Sequence, residues 1–186
     1  MKKYLRAVTG VLIAVMATML YLVFRPISYQ VQEDAKQSFM AVALTKPILK
    51  YDKKANKATG DIEMKSYRIP EQEVPELKSE ILEQVCQLKY YRTPATLMNN
   101  IKREIPVYQT EGSVWITLAR TQHLSDSGEY NFSAQDCAND IIVSGKYIIV
   151  HGTMYSLGIK GEEKAARLYD KIETLLKEKA DGYLEK

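Results

Sequence analysis

The chain reads as an α+β protein: an N-terminal transmembrane helix, then one outward domain with an antiparallel sheet and two helices packed on it. Three observations lead there. Residues 7–24 form an apolar run without a charge, bounded by Arg6 and Arg25. Segments around 61–69, 114–121 and 140–151 carry strand patterning, and Gly145-Lys146 marks a hairpin. Two further segments, 75–92 and 162–180, repeat apolar residues at helical spacing.

The anchor comes first. A charge at the centre of a bilayer helix costs about 3 kcal/mol, so an uncharged run with basic ends is what a membrane selects. As a helix it spans about 27 Å, close to the ~30 Å hydrocarbon core. Lys2, Lys3 and Arg6 crowd the N-terminal side. The positive-inside rule therefore expects residues 1–6 as a cytoplasmic tail, 7–24 in the cell membrane and the rest outside. A cleaved signal would need a shorter apolar region and a small-x-small site. This run ends Leu22, Val23, Phe24, Arg25, Pro26, where no such site stands. No cysteine follows it, which excludes a lipoprotein anchor.

Residues 25–37 are polar and short and read as a stalk; the outward domain then covers 38–186. Residues 38–44 are apolar, either a buried strand or the end of a helix starting near Glu33. Residues 50–60 read as a polar loop ending in Gly60. Asp61 to Ile69 reads as a strand, with Ile62 and Met64 on one face and Glu63 and Lys65 on the other. Pro70 ends it. Pro75 suits a first helical turn, and Leu77, Ile81, Leu82, Val85 and Leu88 form a buried stripe that stops by Arg92, before Pro94. Residues 93–106 carry no clear pattern.

Val114 to Thr121 reads as a strand with Val114, Ile116 and Leu118 on one face. Residues 123–133 are polar and read as a surface loop. Glycine first in a two-residue loop fits a type II′ turn at Gly145-Lys146. That register sets Ser144 opposite Tyr147, Val143 opposite Ile148 and Asp140 opposite His151. Both faces of this hairpin are apolar, so its strands belong inside the sheet. Residues 154–157 extend the sheet. The last helix runs from Glu162 to Ala180, with Ala165, Leu168, Ile172 and Leu175 inward. Its acids lie first and Lys177 and Lys179 last, as the helix dipole favours.

The net charge of +3 reflects topology. Lys2, Lys3, Arg6 and Arg25 belong to the anchor, which leaves 22 basic residues against 23 acidic ones outside it. Nucleic acid, which needs a clustered basic footprint, is not an expected partner. No P-loop or Ser-x-x-Lys motif occurs, and no cofactor or metal is expected. Two cysteines are too few for a disulfide scaffold. Cys86 and Cys137 are candidates for one disulfide, which would close a loop of about 50 residues for ~4 kcal/mol.

Two candidate sites remain. Cys137, His151 and Asp140 have the residue types of a cysteine hydrolase: a thiol, an imidazole to activate it and a carboxylate to orient the imidazole. Lys46, Lys50, Lys53, Lys54 and Lys57 form a basic run suited to an anionic lipid or envelope polymer. Trp115 and the Tyr90-Tyr91 pair are candidate ligand platforms. With no motif-based chemistry, the leading expectation is not an enzyme. It is a membrane-anchored, protein-binding accessory domain of a bacterial envelope assembly. The alternatives are the anchored hydrolase and a small-ligand sensor domain.

Overall fold

A computed structural model describes residues 2–31, 39–52, 57–69, 75–102, 112–119, 123–124, 130–131, 137–180 and 182. It is an α+β fold with a six-stranded antiparallel sheet and four helices. Helix α1 covers Lys2–Phe24. Strands β1 (Phe39–Asp52) and β2 (Lys57–Ile69) form a long hairpin. Helices α2 (Pro75–Cys86) and α3 (Pro94–Lys102) follow. Strands β3 (Ser113–Ala119), β4 (His123–Leu124), β5 (Tyr130–Asn131), β6 (Cys137–Ser144), β7 (Tyr147–Val150) and β8 (Thr153–Ser156) lead to helix α4 (Gly161–Lys179). The sheet order is β2-β1-β3-β6-β7-β8, and β4 pairs separately with β5.

The core lies on one face of the sheet. Met40, Val42 and Leu44 of β1 pair with Leu118, Ile116 and Val114 of β3. Val114 and Ile116 then pair with Val143 and Ile141 of β6, and Ile148 and Val150 of β7 complete the surface. Helices α2 and α4 cover it. Leu77, Ile81 and Val85 of α2 and Leu168, Ile172 and Leu176 of α4 are buried. The α4 stripe thus ends on Leu176, with Leu175 only partly buried. Lys179 Nζ reaches Glu80 Oε1 at 2.6 Å and links the two helices.

Several sequence expectations hold in detail. Ser144 lies opposite Tyr147 and Val143 opposite Ile148. Gly145 takes φ +52°, the positive value that the first position of a type II′ turn requires. Strands β6 and β7 are internal to the sheet.

Of the two readings open for 38–44, the strand is the one present, over 39–44. Others are corrected. The expected polar loop at 50–60 is mostly the two arms of the β1–β2 hairpin; only 53–56 lie outside the described residues. Beyond Thr45 and Ser113, β1 pairs with β2 alone. Pro47 falls in that overhang, on a stretch where its missing N–H leaves no ladder bond to β3 unmade. The loop expected at 123–133 contains the small β4–β5 pair. Helix α2 ends at Cys86, within the expected limit of Arg92 but before Leu88 of the expected stripe, and α3 occupies the stretch without a clear pattern.

Residues 27–31 of the expected stalk are docked on the domain, and 32–37 lie outside the described residues. Ile27 N donates to the Tyr90 carbonyl at 2.8 Å, and Tyr90 N donates back to the Ile27 carbonyl at 2.9 Å. Tyr29 is buried and Val31 packs on the core. Only Arg25 and Pro26 separate Ile27 from the end of α1. Helix α1 itself carries exposed Val8, Leu12, Ile13, Met16, Leu20 and Tyr21 around its circumference. Among the described residues no helix is long and apolar enough to cross a membrane. In α1 the described side chains begin at Val8, so Ala7 and the basic flank stand outside that statement.

Lys65 of β2 meets Glu173 of α4 at 3.3 Å, and Lys177 reaches the same carboxylate oxygen at 3.0 Å. The hydrogen bonds from Lys177 and Lys65 hold the Glu173 carboxyl below the usual range, against the opposing effect of burial. A lowered folded-state pKa stabilises the fold above the ordinary glutamate value, and that gain disappears as pH falls through the lowered one. Glu173→Gln is therefore expected to flatten the loss of stability below about pH 4, read as melting temperature against pH. An unchanged acid limb would contradict this pairing.

Candidate functional site

Strand pairing decides which side chains share the second face of the sheet. Ser66, Ala43, Trp115, Ile142, Ile149 and Met154 lie in one cross-strand row. Met64, Thr45, Ser113, Ser144, Tyr147 and Ser156 form the next, with Ile62 beyond Met64. At the β7–β8 end this face is closed: Ile149 and Met154 are buried, and α3 packs along β8. At the β2–β1–β3 end it is open. Met64 is 66% exposed, Ile62 52% and Trp115 47%.

The polarity of β2 is thus the reverse of a simple apolar-in reading. Glu63, Lys65, Tyr67 and Ile69 share the core side, and Ile62 and Met64 point away from it. Tyr67 and Ile69 set the parity, because both are buried. The period of 2 then carries Lys65 and Glu63 along with them. Lys65 is accommodated because Glu173 waits for it on α4.

Trp115 is held in place. Its Nε1 donates to Ser113 Oγ at 2.9 Å, and the Ser113 hydroxyl is hydrogen-bonded to that of Thr45. Ser113 is itself buried. The indole is a fixed aromatic surface, and a fixed side chain loses little rotamer entropy when a partner covers it. The second edge of the sheet is capped. Tyr91 N donates to the Ser156 carbonyl at 2.8 Å, and Asn100 Oδ1 accepts from Met154 N at 2.8 Å.

The hydrolase candidates are brought together in part. His151 N donates to the Asp140 carbonyl at 3.2 Å, so the expected Asp140–His151 register is present in the backbone. Both residues are exposed. His151 takes φ +50° and Gly152 φ +70°, the two positive values of a type I′ turn between β7 and β8. That gives His151 a structural role, since histidine tolerates this conformation better than most residues. Cys137 stands at the start of β6 opposite Ala119, beyond a bulge. Three residue steps, about 10 Å of strand, take the chain from it to the level of Asp140. Its side chain lies outside the described residues.

Cys86 carries a free thiol, so the Cys86–Cys137 disulfide is not formed here. Burial pushes the Cys86 thiol up in pKa, which keeps it protonated and a poor nucleophile. Tyr90 is a core residue, its ring 4.9 Å from that of Tyr155. Burial, reinforced by Tyr155, Tyr29 and Cys86, pushes its hydroxyl up to about 12. Tyr91 is taken up by its bridge to Ser156. Among the described residues no three His, Cys, Asp or Glu side chains gather to hold a metal.

The basic run is divided. Lys46 lines a groove of about 390 Å³ with Glu162, Glu163 and Asp170, which offset its charge. Lys50 and Lys57 lie on the overhanging hairpin, opposite Thr59 and Asp52. Lys53 and Lys54 lie outside the described residues. The open face around Trp115 is the feature that sequence reasoning located only as a single aromatic. The detectable signal was Ile62 and Met64 on a strand whose other parity already carried Tyr67 and Ile69. No protein-family model, curated protein or solved structure matches the chain.

Proposed function

We propose that this chain is a single-pass protein of a bacterial cell membrane whose outward α+β domain binds a protein partner, as an accessory subunit of an envelope assembly. The observation that carries the reading is the open β2–β1–β3 face, which carries a hydrogen-bonded Trp115 on β3 and, across the small Ala43 and Thr45 of β1, exposed Met64 and Ile62 on β2. Fixed aromatics within apolar surroundings dominate the energetics of protein interfaces. A contiguous exposed apolar patch on a folded domain is an interaction site more often than an accident.

The anchor rests on α1. Its apolar side chains are exposed on all sides, and a helix that is apolar all round needs lipid or protein around it. Thr18 Oγ1 donates to the Ala14 carbonyl at 2.9 Å, so its hydroxyl is satisfied within the helix, as hydrocarbon demands. Lys2, Lys3 and Arg6 assign the N-terminus to the cytoplasm.

Two measurements test the two halves. Protease added to intact protoplasts is expected to digest the domain; full protection reverses the orientation. The full-length chain extracted in mild detergent is expected to retain a membrane-protein partner in stoichiometric amount. Recovery of the folded chain alone contradicts the binding reading.

A further inference from the structure

Helix α3 is inside out. Its polar residues face the protein: Thr96 is buried, and Asn100 makes two bonds to the backbone of Met154, Nδ2 to the carbonyl at 3.0 Å and Oδ1 from N at 2.8 Å. Two of its large apolar residues face out, Met98 at 53% and Ile101 at 79% exposure, with Leu97 half-buried. Asn100 explains the inward polar face, since it closes the β8 edge. It does not explain two large apolar side chains on the outside.

The position of α3 in the fold supplies a reason. Ile27 and Tyr90 exchange two backbone hydrogen bonds, and Tyr91 and Ser156 exchange two more. Thr93 Oγ1 accepts from Thr96 N at 3.1 Å and caps the start of α3. The end of α1, the docked segment at Ile27 and the first turn of α3 are therefore joined by fixed contacts. At most about 14 Å of chain separates Tyr90 from Pro94, and about 10 Å separates Phe24 from Ile27.

Charge points the same way. Residues 84–103 contain Lys89, Arg92, Lys102 and Arg103 and no acidic residue, in a chain with 23 acidic residues. The segment between Arg25 and Gln32 also has no acid. Lys89 Nζ donates to Ser28 Oγ at 2.6 Å, which places its charge beside the docked segment. Exposed apolar residues on one side of a short helix, with basic residues at its ends, suit the boundary of an anionic bilayer.

We infer that α3 is a second membrane contact, with Met98 and Ile101 entering the interface of an anionic bilayer and the exposed Lys89 and Lys102 facing its headgroups. This rests on the reading of α1 as an anchor. Alone, so short a helix binds lipid weakly. Tethered by α1, its binding is intramolecular, and a weak contact suffices. The contact fixes the tilt of the domain and thereby the direction in which the Trp115 face is presented.

The test uses the full-length chain in nanodiscs of phosphatidylcholine, with or without phosphatidylglycerol. In a Trp115→Phe background, Val15→Trp, Ile101→Trp and Lys171→Trp each provide one reporter, quenched by brominated lipid. The Val15 reporter is expected to be quenched in both discs. The Ile101 reporter is expected to be quenched at least twofold more than that at Lys171, with the excess falling by half or more when phosphatidylglycerol is omitted. A quenched Val15 reporter with Ile101 no different from Lys171, or indifferent to the anionic lipid, overturns the inference and leaves the anchor standing. An unquenched Val15 reporter overturns the anchor and the inference with it. Should Trp115→Phe disturb folding, benzoylphenylalanine at position 101 in the otherwise native chain gives the same decision. A lipid adduct supports the contact; a protein adduct or none overturns it.

Discussion

Ile172→Ala is expected to destabilise the domain by about 2–5 kcal/mol, enough to remove a large part of a stability that is typically about 5–15 kcal/mol. Ile172 is fully buried near the middle of α4, among Leu168, Leu176 and the inner face of the sheet. Deleting its outer carbons loses their transfer free energy and leaves a cavity that strands on one side and α2 on the other cannot fill. For a domain of about 150 residues the melting temperature should drop by roughly 5–20 °C. The control is its neighbour. Lys171 is exposed and donates to Gln84 Oε1 at 2.9 Å, so Lys171→Ala should stay within about 0.5 kcal/mol. Equal tolerance of the two changes would remove α4 from the core.

Trp115→Glu is expected to weaken partner binding more than about 100-fold, or ~2.7 kcal/mol, while the domain still folds. The change removes the largest exposed apolar side chain of that face and puts a carboxylate where a partner would have to desolvate it. Folding is spared because the indole is about half exposed and, among the described residues, its polar tie is to Ser113. Co-purification measures the first effect and thermal melting the second. Unchanged co-purification by a folded variant places the interface elsewhere.

The core was legible because its periodicities are local. Leu77, Ile81 and Val85 recur at helical spacing, and Val114, Ile116 and Leu118 alternate, so neighbours in sequence already specify the buried face. The Gly145-Lys146 turn fixed a register that the structure repeats pair for pair. Three features were not legible, each because a distant residue decides it. Lys65 is accommodated on the core side by Glu173, which lies on a helix more than a hundred residues later. Helix α3 defied pattern because Asn100, a poor core residue by type, is inward to cap a strand edge at Met154. The segment after α1 looked like a stalk because nothing in its sequence announces Tyr90 as a backbone partner.

The candidate site divides along the same line. Trp115 could be noted as an aromatic, but its exposure follows from sheet order, which sets β1 between β2 and β3 and leaves that end of the second face without a described helix. Asp140 and His151 were paired correctly from the turn, since both depend on one local register. Cys137 begins the same strand as Asp140, with Ala138 and Asn139 between them and a bulge at that end, and its side chain lies outside the described residues.

The central claim is that the Trp115 face is occupied by a protein in the cell. The direct measurement is site-specific photo-crosslinking in living cells, with benzoylphenylalanine at Met64 or Trp115 and, as a control, at Lys171 on α4. The expected result is one discrete protein adduct from both face positions and none from Lys171. Face positions that yield no protein adduct, or the same diffuse adducts as Lys171, in a chain that still folds and reaches the membrane, would contradict the account.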